Sequence, residues 1–271
     1  MRLATFDYQG TTFFGRLEED HAQPLQGTFA EIAEAVCRGR APQPAGDAFP
    51  RGEIVLRAPV PRPGKFLCIG LNYRDHAEES GMEVPKEPVV FNKFASSVVA
   101  HEDGVVVPPG CTQLDYEAEL AFVIGRRARH VQPHEARSFV LGYTCVNDVS
   151  ARDFQVGDGQ WTRGKACDTL GPMGPAFVTA DEIRDPHALG IRLRLNGETM
   201  QDSSTDQLVF GIDALVVFLS RHFTLEPGDV IATGTPPGVG FARKPPVYLK
   251  HGDVMEVEID GVGLLRNPVR G

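Results

Sequence analysis

The stretch LDYEAELAFVIG, Leu114 to Gly125, decides how the rest of the chain is read. As a β-strand it sends alternate side chains to opposite faces. Asp115, Glu117 and Glu119 then share one side, and Leu114, Tyr116, Ala118, Leu120 and Phe122 the other. The run Ala121 to Ile124 that follows is wholly apolar, which predicts that the acids sit where a strand emerges from a core. Carboxylates at strand spacing repel, and desolvation makes the repulsion worse, so they face water, share protons or hold a cation between them. An edge strand with an acidic, wet face would carry the same sequence, and the stretch alone does not choose.

The surrounding chain of 271 residues is long enough to bury a substantial core, and its 42% hydrophobic and 23% charged content is that of an ordinary globular protein. A formal charge of -9 leaves no basic stripe to displace phosphate counterions, which argues against a nucleic-acid partner. Cys37, Cys68, Cys111, Cys145 and Cys167 are odd in number and widely spaced with no CxxC pair, so neither a disulfide framework nor a zinc site is expected. The opening MRLATFDYQG has no apolar signal core, and no apolar run is long enough to span a bilayer. A reduced, cytoplasmic setting with no membrane partner is the expectation.

Residues 1 to about 20 alternate as a hairpin turning at Gln9 and Gly10. In TFAEIAEAVCRG, Thr28 caps a short helix, Phe29, Ile32 and Val36 fall at helical spacing, and Gly39 stops it. The Pro- and Gly-dense RAPQPAGDAFPRG reads as a linker, which places a boundary near residue 55 between a small N-terminal α+β domain (1–55) and the main body (56–271). The body opens with an apolar strand, Phe66 to Ile69, leading into a helix over Asp75 to Ser80. There His76 and Glu79 lie three apart on one face, as a general base and its orienting partner or as a plain surface pair. No phosphate-loop or dinucleotide fingerprint occurs. Tyr143 to Val149 reads as a strand delivering Asn147 and Asp148 near its end, and Asp148 is a carboxylate arriving from a second strand. QWTRGKACDTLGPMGP, with the sole tryptophan Trp161, is too polar and punctuated for core and reads as a binding loop. Its Lys165 suits an anionic substrate near an acidic metal centre. Thr179 and Glu182 form a capping box that predicts a helix start at TADEI. Beyond it follow a hairpin turning at Asn196 and Gly197, an amphipathic helix over Ile212 to His222, and a buried strand ending in GTPPGVG. The amides of that turn and the Thr235 hydroxyl could cradle a carboxylate, and paired strands turn at Asp260 and Gly261.

Together, GLNYRDHAEE, LDYEAELAFVIG, GYTCVNDVSARDFQ, QWTRGKACDT, GPMGPAFVTADEI, LEPGDVIATGTPPGVG and GDVMEVEIDGVGLLRNPV resemble the fumarylacetoacetate hydrolase superfamily, in the expected order over about residues 60 to 271. The resemblance implies a mixed α/β, β-rich fold, with a rolled-sheet catalytic domain behind the small N-terminal one, and a homodimer. It implies a divalent cation, Mg²⁺ with Mn²⁺ as substitute, on Glu117, Glu119 and Asp148, a preference that three carboxylates share with any hard, six-coordinate cation. Asp115 is left as a supporting residue. His76 and Glu79 match the catalytic pair of a mobile lid, Lys165 the family lysine, and Thr235 the threonine of the glycine-rich turn. Leu71 departs from members with a basic residue there, and the QWTRGKACDT form makes Arg163 and Gln160 substrate contacts.

The chemistry implied is Mg²⁺-dependent hydrolysis of a carbon–carbon bond in a 2,4-dioxo acid, an acylpyruvate or diketo-deoxy sugar acid, giving pyruvate or a similar 2-oxo acid and a carboxylate. The same constellation also stabilises an enolate without delivering water. The alternative is therefore a tautomerase, isomerase or decarboxylase acting on oxaloacetate or an unsaturated 2-oxo dioate. Either way the partner is a small anionic 2-oxo acid.

Overall fold

In a computed structural model, which describes residues 1–157 and 159–271, strands dominate and helices are few and short. One large mixed sheet runs through the molecule. From one edge its order is Phe49–Pro50, His21–Pro24, Thr11–Leu17, Arg2–Tyr8, Gly171–Thr179, Val140–Asn147, Ala118–Ile124, Val230–Ala232, Phe66–Gly70 and Val89–Lys93. A second sheet of Glu198–Ser204, Gly190–Leu195, Val254–Ile259, Gly263–Arg270 and Val105–Val106 packs beside it. The apolar stretch Ala118–Ile124 is buried along its whole length, as strands covered on both faces are. Its two faces feed different cores: Leu120, Phe122 and Ile124 belong to the larger, with Leu215, Val216 and Leu219 of the helix Ile212–His222. Ala121 and Val123 belong to the smaller, with Ile32 and Ala33 of the helix Phe29–Cys37.

Most local expectations are met. The first hairpin pairs Arg2–Tyr8 with Thr11–Leu17, and the helix Phe29–Cys37 begins at a complete capping box of Thr28 and Glu31. The large sheet does not stop near residue 55, because Arg2 and Leu3 pair with Val178 and Phe177.

Three expectations are corrected. Thr179 and Glu182 start no helix: Thr179 ends a strand paired with Gly142, and with Glu182 it receives the α-amino group of Met1, at 2.6 and 2.9 Å. Leu114 to Gly125 is not one strand but two, Leu114–Asp115 and Ala118–Ile124. The break occurs because side chains take the backbone amides there: Asp115 Oδ1 accepts from Tyr116, and Asn147 Oδ1 from Glu117. The strand placed over Tyr143 to Val149 runs over Val140–Asn147, so Asp148 lies just beyond its end.

Candidate active site and cation centre

The strands bring Glu117, Glu119 and Asp148 together. Glu119 is on Ala118–Ile124, Glu117 just before it, and Asp148 just after the neighbouring strand, whose Asn147 pairs with Ala118. All three are buried, and each offers a carboxylate oxygen within 4.8 Å of the others. Among the described residues no other His, Cys, Asp or Glu group converges in this way.

Such crowding would be untenable without counter-charge. Lys165 Nζ donates to Glu117 Oε2 at 2.6 Å and to Asp148 Oδ2 at 2.8 Å. Lys93 Nζ donates to Asp148 Oδ1 at 2.5 Å, to the Val149 carbonyl at 3.1 Å and to the Lys165 carbonyl. Arg152 bridges Asp115 at 2.8 Å and Glu117 at 2.7 Å while its guanidinium lies 4.5 Å over the Phe241 ring. The cations hold the Glu117 carboxyl well below its usual range, against the effect of burial. Asp115 faces Arg152 and also accepts the amides of Gly240 and Phe241, so it supports Glu117 from behind and stays out of the cluster.

Four carboxylates thus meet three cations, and the acid left over is Glu119. Its Oε2 accepts the Gly234 amide at 2.8 Å, but among the described residues it forms no ion pair. Burial, reinforced by Asp148 and Glu117, pushes its carboxyl well above the ordinary range. A fully buried carboxylate lacking a cation, beside two others with hard oxygen donors, fits a divalent ion.

A cavity of about 130 Å³ opens over this cluster. Its floor holds Glu117, Glu119, Arg152 and Lys165, and its roof is the helix Arg74–Ser80 with His76 and Ser80. His76 is buried, with Nδ1 3.0 Å from Glu79 Oε2. An ionised carboxylate only accepts, so Nδ1 carries the proton and Nε2 is left as the basic nitrogen. Glu79 Oε1 accepts the Gly238 amide at 2.9 Å, and Asp75 Oδ2 accepts the Ser203 hydroxyl at 2.5 Å, which fastens the helix to the body. Thr235 lines the cavity, and its Oγ1 accepts from Gln201 at 2.8 Å, leaving the hydroxyl hydrogen to donate. Trp161 forms a side wall, edge-on to Phe91. Leu71, with φ of +46°, sits at the lip.

The structure therefore gathers His76, Lys165, Thr235, Glu117 and Glu119 around one space, with Glu79 behind His76 and Asp148 behind Lys165. It does not bring Gln160 and Arg163 into the lining: the Gln160 side chain receives the Thr162 amide, and the Arg163 guanidinium lies 5.0 Å over Phe154. The loop thought too polar for core also proves partly buried, since the short helix Thr162–Lys165 carries Lys165 inside with 2% exposure. Its carboxylate partners make that burial possible. Sequence reasoning missed Lys93 and Gln201, and it missed Arg152 although that residue lies within the quoted GYTCVNDVSARDFQ. The one signal was Lys93 itself, a charge inside the alternating VVFNKF. Larger clefts, such as one of about 660 Å³ lined by Met1, Arg2, Glu18 and Arg51, hold no comparable cluster.

Residues 65–270 match the family model described as "Fumarylacetoacetate (FAA) hydrolase C-terminal". The chain belongs to the fumarylacetoacetate hydrolase family. Residues 1–59 match "Rv2993c-like, N-terminal". Among relatives in the fumarylacetoacetate hydrolase family, the "oxaloacetate tautomerase fahd2, mitochondrial" of Xenopus laevis is 52% identical over 221 residues, covering 81% of this chain and 69% of its own. The solved 5-carboxymethyl-2-hydroxymuconate delta-isomerase from Mycobacterium smegmatis is 34% identical, with a TM-score of 0.87 over 100% of this chain and 99% of its own. The 2-hydroxyhepta-2,4-diene-1,7-dioate isomerase from Mycobacterium marinum is 34% identical, with a TM-score of 0.85 over 100% and 98%. Among the described residues no helix of this fumarylacetoacetate hydrolase family member is long and apolar enough to cross a membrane.

Proposed function

We propose that this enzyme interconverts the enol and keto forms of a small 2-oxo dicarboxylate, oxaloacetate being the substrate of choice. One observation carries the reading: a single base, His76 backed by Glu79, faces a three-carboxylate centre across a space of only about 130 Å³. That is small against the roughly 300–1,000 Å³ of pockets for drug-sized ligands, and it suits a four-carbon acid better than a diketo sugar acid or a long acyl group. The names of the tautomerase and isomerase relatives support the same choice over carbon–carbon hydrolysis.

Glu117, Glu119 and Asp148 would hold a divalent cation, Mg²⁺ or its substitute Mn²⁺, which when bound supplies charge stabilisation for an enolate. Lys165 keeps Glu117 ionised and holds both Glu117 and Asp148 in place. Thr235 donates its hydroxyl to a substrate oxygen. His76 Nε2 exchanges the proton at C3: as one proton leaves the enol oxygen another arrives at carbon, so the reaction consumes neither water nor an oxidant. The cover provided by Arg74–Ser80 excludes water that would otherwise protonate the enolate at random.

The test is to supply the Mg²⁺-loaded enzyme with enol-oxaloacetate and follow the decay of the enol absorbance, with products identified by NMR. The reading expects one product, the keto acid, and a rate that falls on the order of 10²-fold or more in His76→Ala. Release of carbon dioxide, or of two fragments from acylpyruvates at a higher rate, would replace it with decarboxylation or hydrolysis.

A further inference from the structure

Nearly every polar side chain lining the cavity is already committed to the protein. Glu117, Arg152 and Lys165 are ion-paired, Glu119 holds the Gly234 amide, His76 is fixed by Glu79, and Thr235 takes a hydrogen bond from Gln201. Ser80 is the exception. It lines the cavity, and its Oγ is shielded from solvent with no hydrogen-bond partner. A buried hydroxyl without a partner costs on the order of 1–3 kcal/mol, so it calls for an explanation. The Tyr73 and Tyr143 hydroxyls and Arg152 Nη2 also lack a well-aligned hydrogen bond, but neither tyrosine lines the cavity, and Arg152 Nη2 lies 2.8 Å from Asp115 and 2.7 Å from Glu117, so Ser80 Oγ alone of the four faces the cavity without a charged partner.

Its place in the helix supplies the explanation. Ser80 is four residues after His76, so the two stand on one face, one turn apart, with about 5–6 Å between their β-carbons. A substrate that presents its reacting carbon to His76 therefore has its next polar group within reach of Ser80. In a 2-oxo dicarboxylate bound by its 2-oxo acid end, that next group is the distal carboxylate, bonded directly to C3.

We propose that Ser80 is a specificity-determining residue that donates a hydrogen bond to the distal carboxylate of the substrate and so selects four-carbon 2-oxo dicarboxylates over 2-oxo monoacids. The assignment rests on the tautomerase reading for the way the substrate lies, but it concerns binding, and its test is separate. The helix brings the base and the selector in together, so a ligand lacking the distal carboxylate leaves Ser80 unpaired beneath the closed cover.

The experiment is a thermal-shift titration of the Mn²⁺-loaded protein with two probes, oxaloacetate and 2-oxobutanoate, which carries a methyl group where oxaloacetate has its distal carboxylate. The wild type is expected to favour oxaloacetate. Ser80→Ala should weaken oxaloacetate about tenfold and leave 2-oxobutanoate unchanged, and Ser80→Thr, which keeps the hydroxyl, should restore most of the preference. An undiminished preference in Ser80→Ala, equal weakening of both probes, or a wild type indifferent between them would overturn the assignment. If oxaloacetate binds with the expected preference but is not tautomerised, the proposed reaction falls while the Ser80 assignment is still decided by the same titrations.

Discussion

Gly238 donates its backbone amide to Glu79 Oε1 at 2.9 Å. The other oxygen of that carboxylate holds His76 Nδ1 at 3.0 Å, so the glycine-rich turn after Val230–Ala232 sets the orientation of a base on a different element. Gly238 has φ of +98°, and a β-carbon there would lie 2.1 Å from the Met200 carbonyl oxygen. Gly238→Ala should therefore cost more than about 1 kcal/mol of stability and loosen the pair at once. Glu79→Gln separates the two effects: the fold persists, while the turnover rate falls on the order of 10²-fold. Denaturant melts beside steady-state rates for the two variants check this, and an unimpaired Glu79→Gln enzyme would remove Glu79 from the pair.

The Glu119 carboxyl, which no cation pairs among the described residues, sets an expectation for cation binding. Mn²⁺ or Mg²⁺ should raise the melting temperature, with about 2.7 kcal/mol gained at a concentration one hundred times the dissociation constant. Glu119→Gln should abolish the response. Because burial and its acidic neighbours raise the Glu119 carboxyl, the cation competes with a proton there, and its affinity should strengthen as pH rises through that group's titration. Calorimetric titrations at several pH values give both the affinity and the protons released.

Lys93 is wholly buried and is the only described donor to Asp148 Oδ1. Lys93→Met would leave that oxygen and the Val149 and Lys165 carbonyls short of a donor, at a cost of about 3–5 kcal/mol. Urea unfolding of the variant should show the loss, and its Mn²⁺ affinity should weaken because Asp148 is no longer held from behind. A change within about 0.5 kcal/mol would mean that the ammonium is replaceable there.

His101 gives the stability a pH dependence remote from the site. Burial lowers its pKa from 6.5, and its Nδ1 accepts the Arg266 amide at 3.0 Å, which requires the neutral ring. Between the folded pKa and 6.5 the unfolded chain binds more protons, so stability rises with pH across that window and is lost as pH falls through it. His101→Asn offers an oxygen to the same amide without titrating. Unfolding free energies measured between about pH 5 and pH 7 should slope less in the variant.

What was legible in the sequence was local. The helix over Ile212–His222 and the hairpins at Gln9 and Asn196 follow from spacing within a short stretch of chain. Glu117, Glu119, Asp148 and the His76–Glu79 pair needed the whole set of motifs, because nothing local distinguishes them from charged residues on a wet surface. Lys93 and Arg152 were missed since the partners that make a buried cation tolerable arrive from strands far away in the chain. The capping box at Thr179 failed for a related reason: a pairing with Gly142 claimed the backbone first.

The seam between Arg2–Tyr8 and Gly171–Thr179 has a consequence for exchange of parts among relatives. The strand it covers also pairs with Val140–Asn147, which leads directly to Asp148, so the N-terminal segment continues the sheet that positions the site. A chimera that trades residues before about 60 must reproduce this seam or leave a bare strand open to pairing with other chains. The first segment, matched by a family model of its own over residues 1–59, is thus tied to the body by backbone pairing as well as by the chain itself.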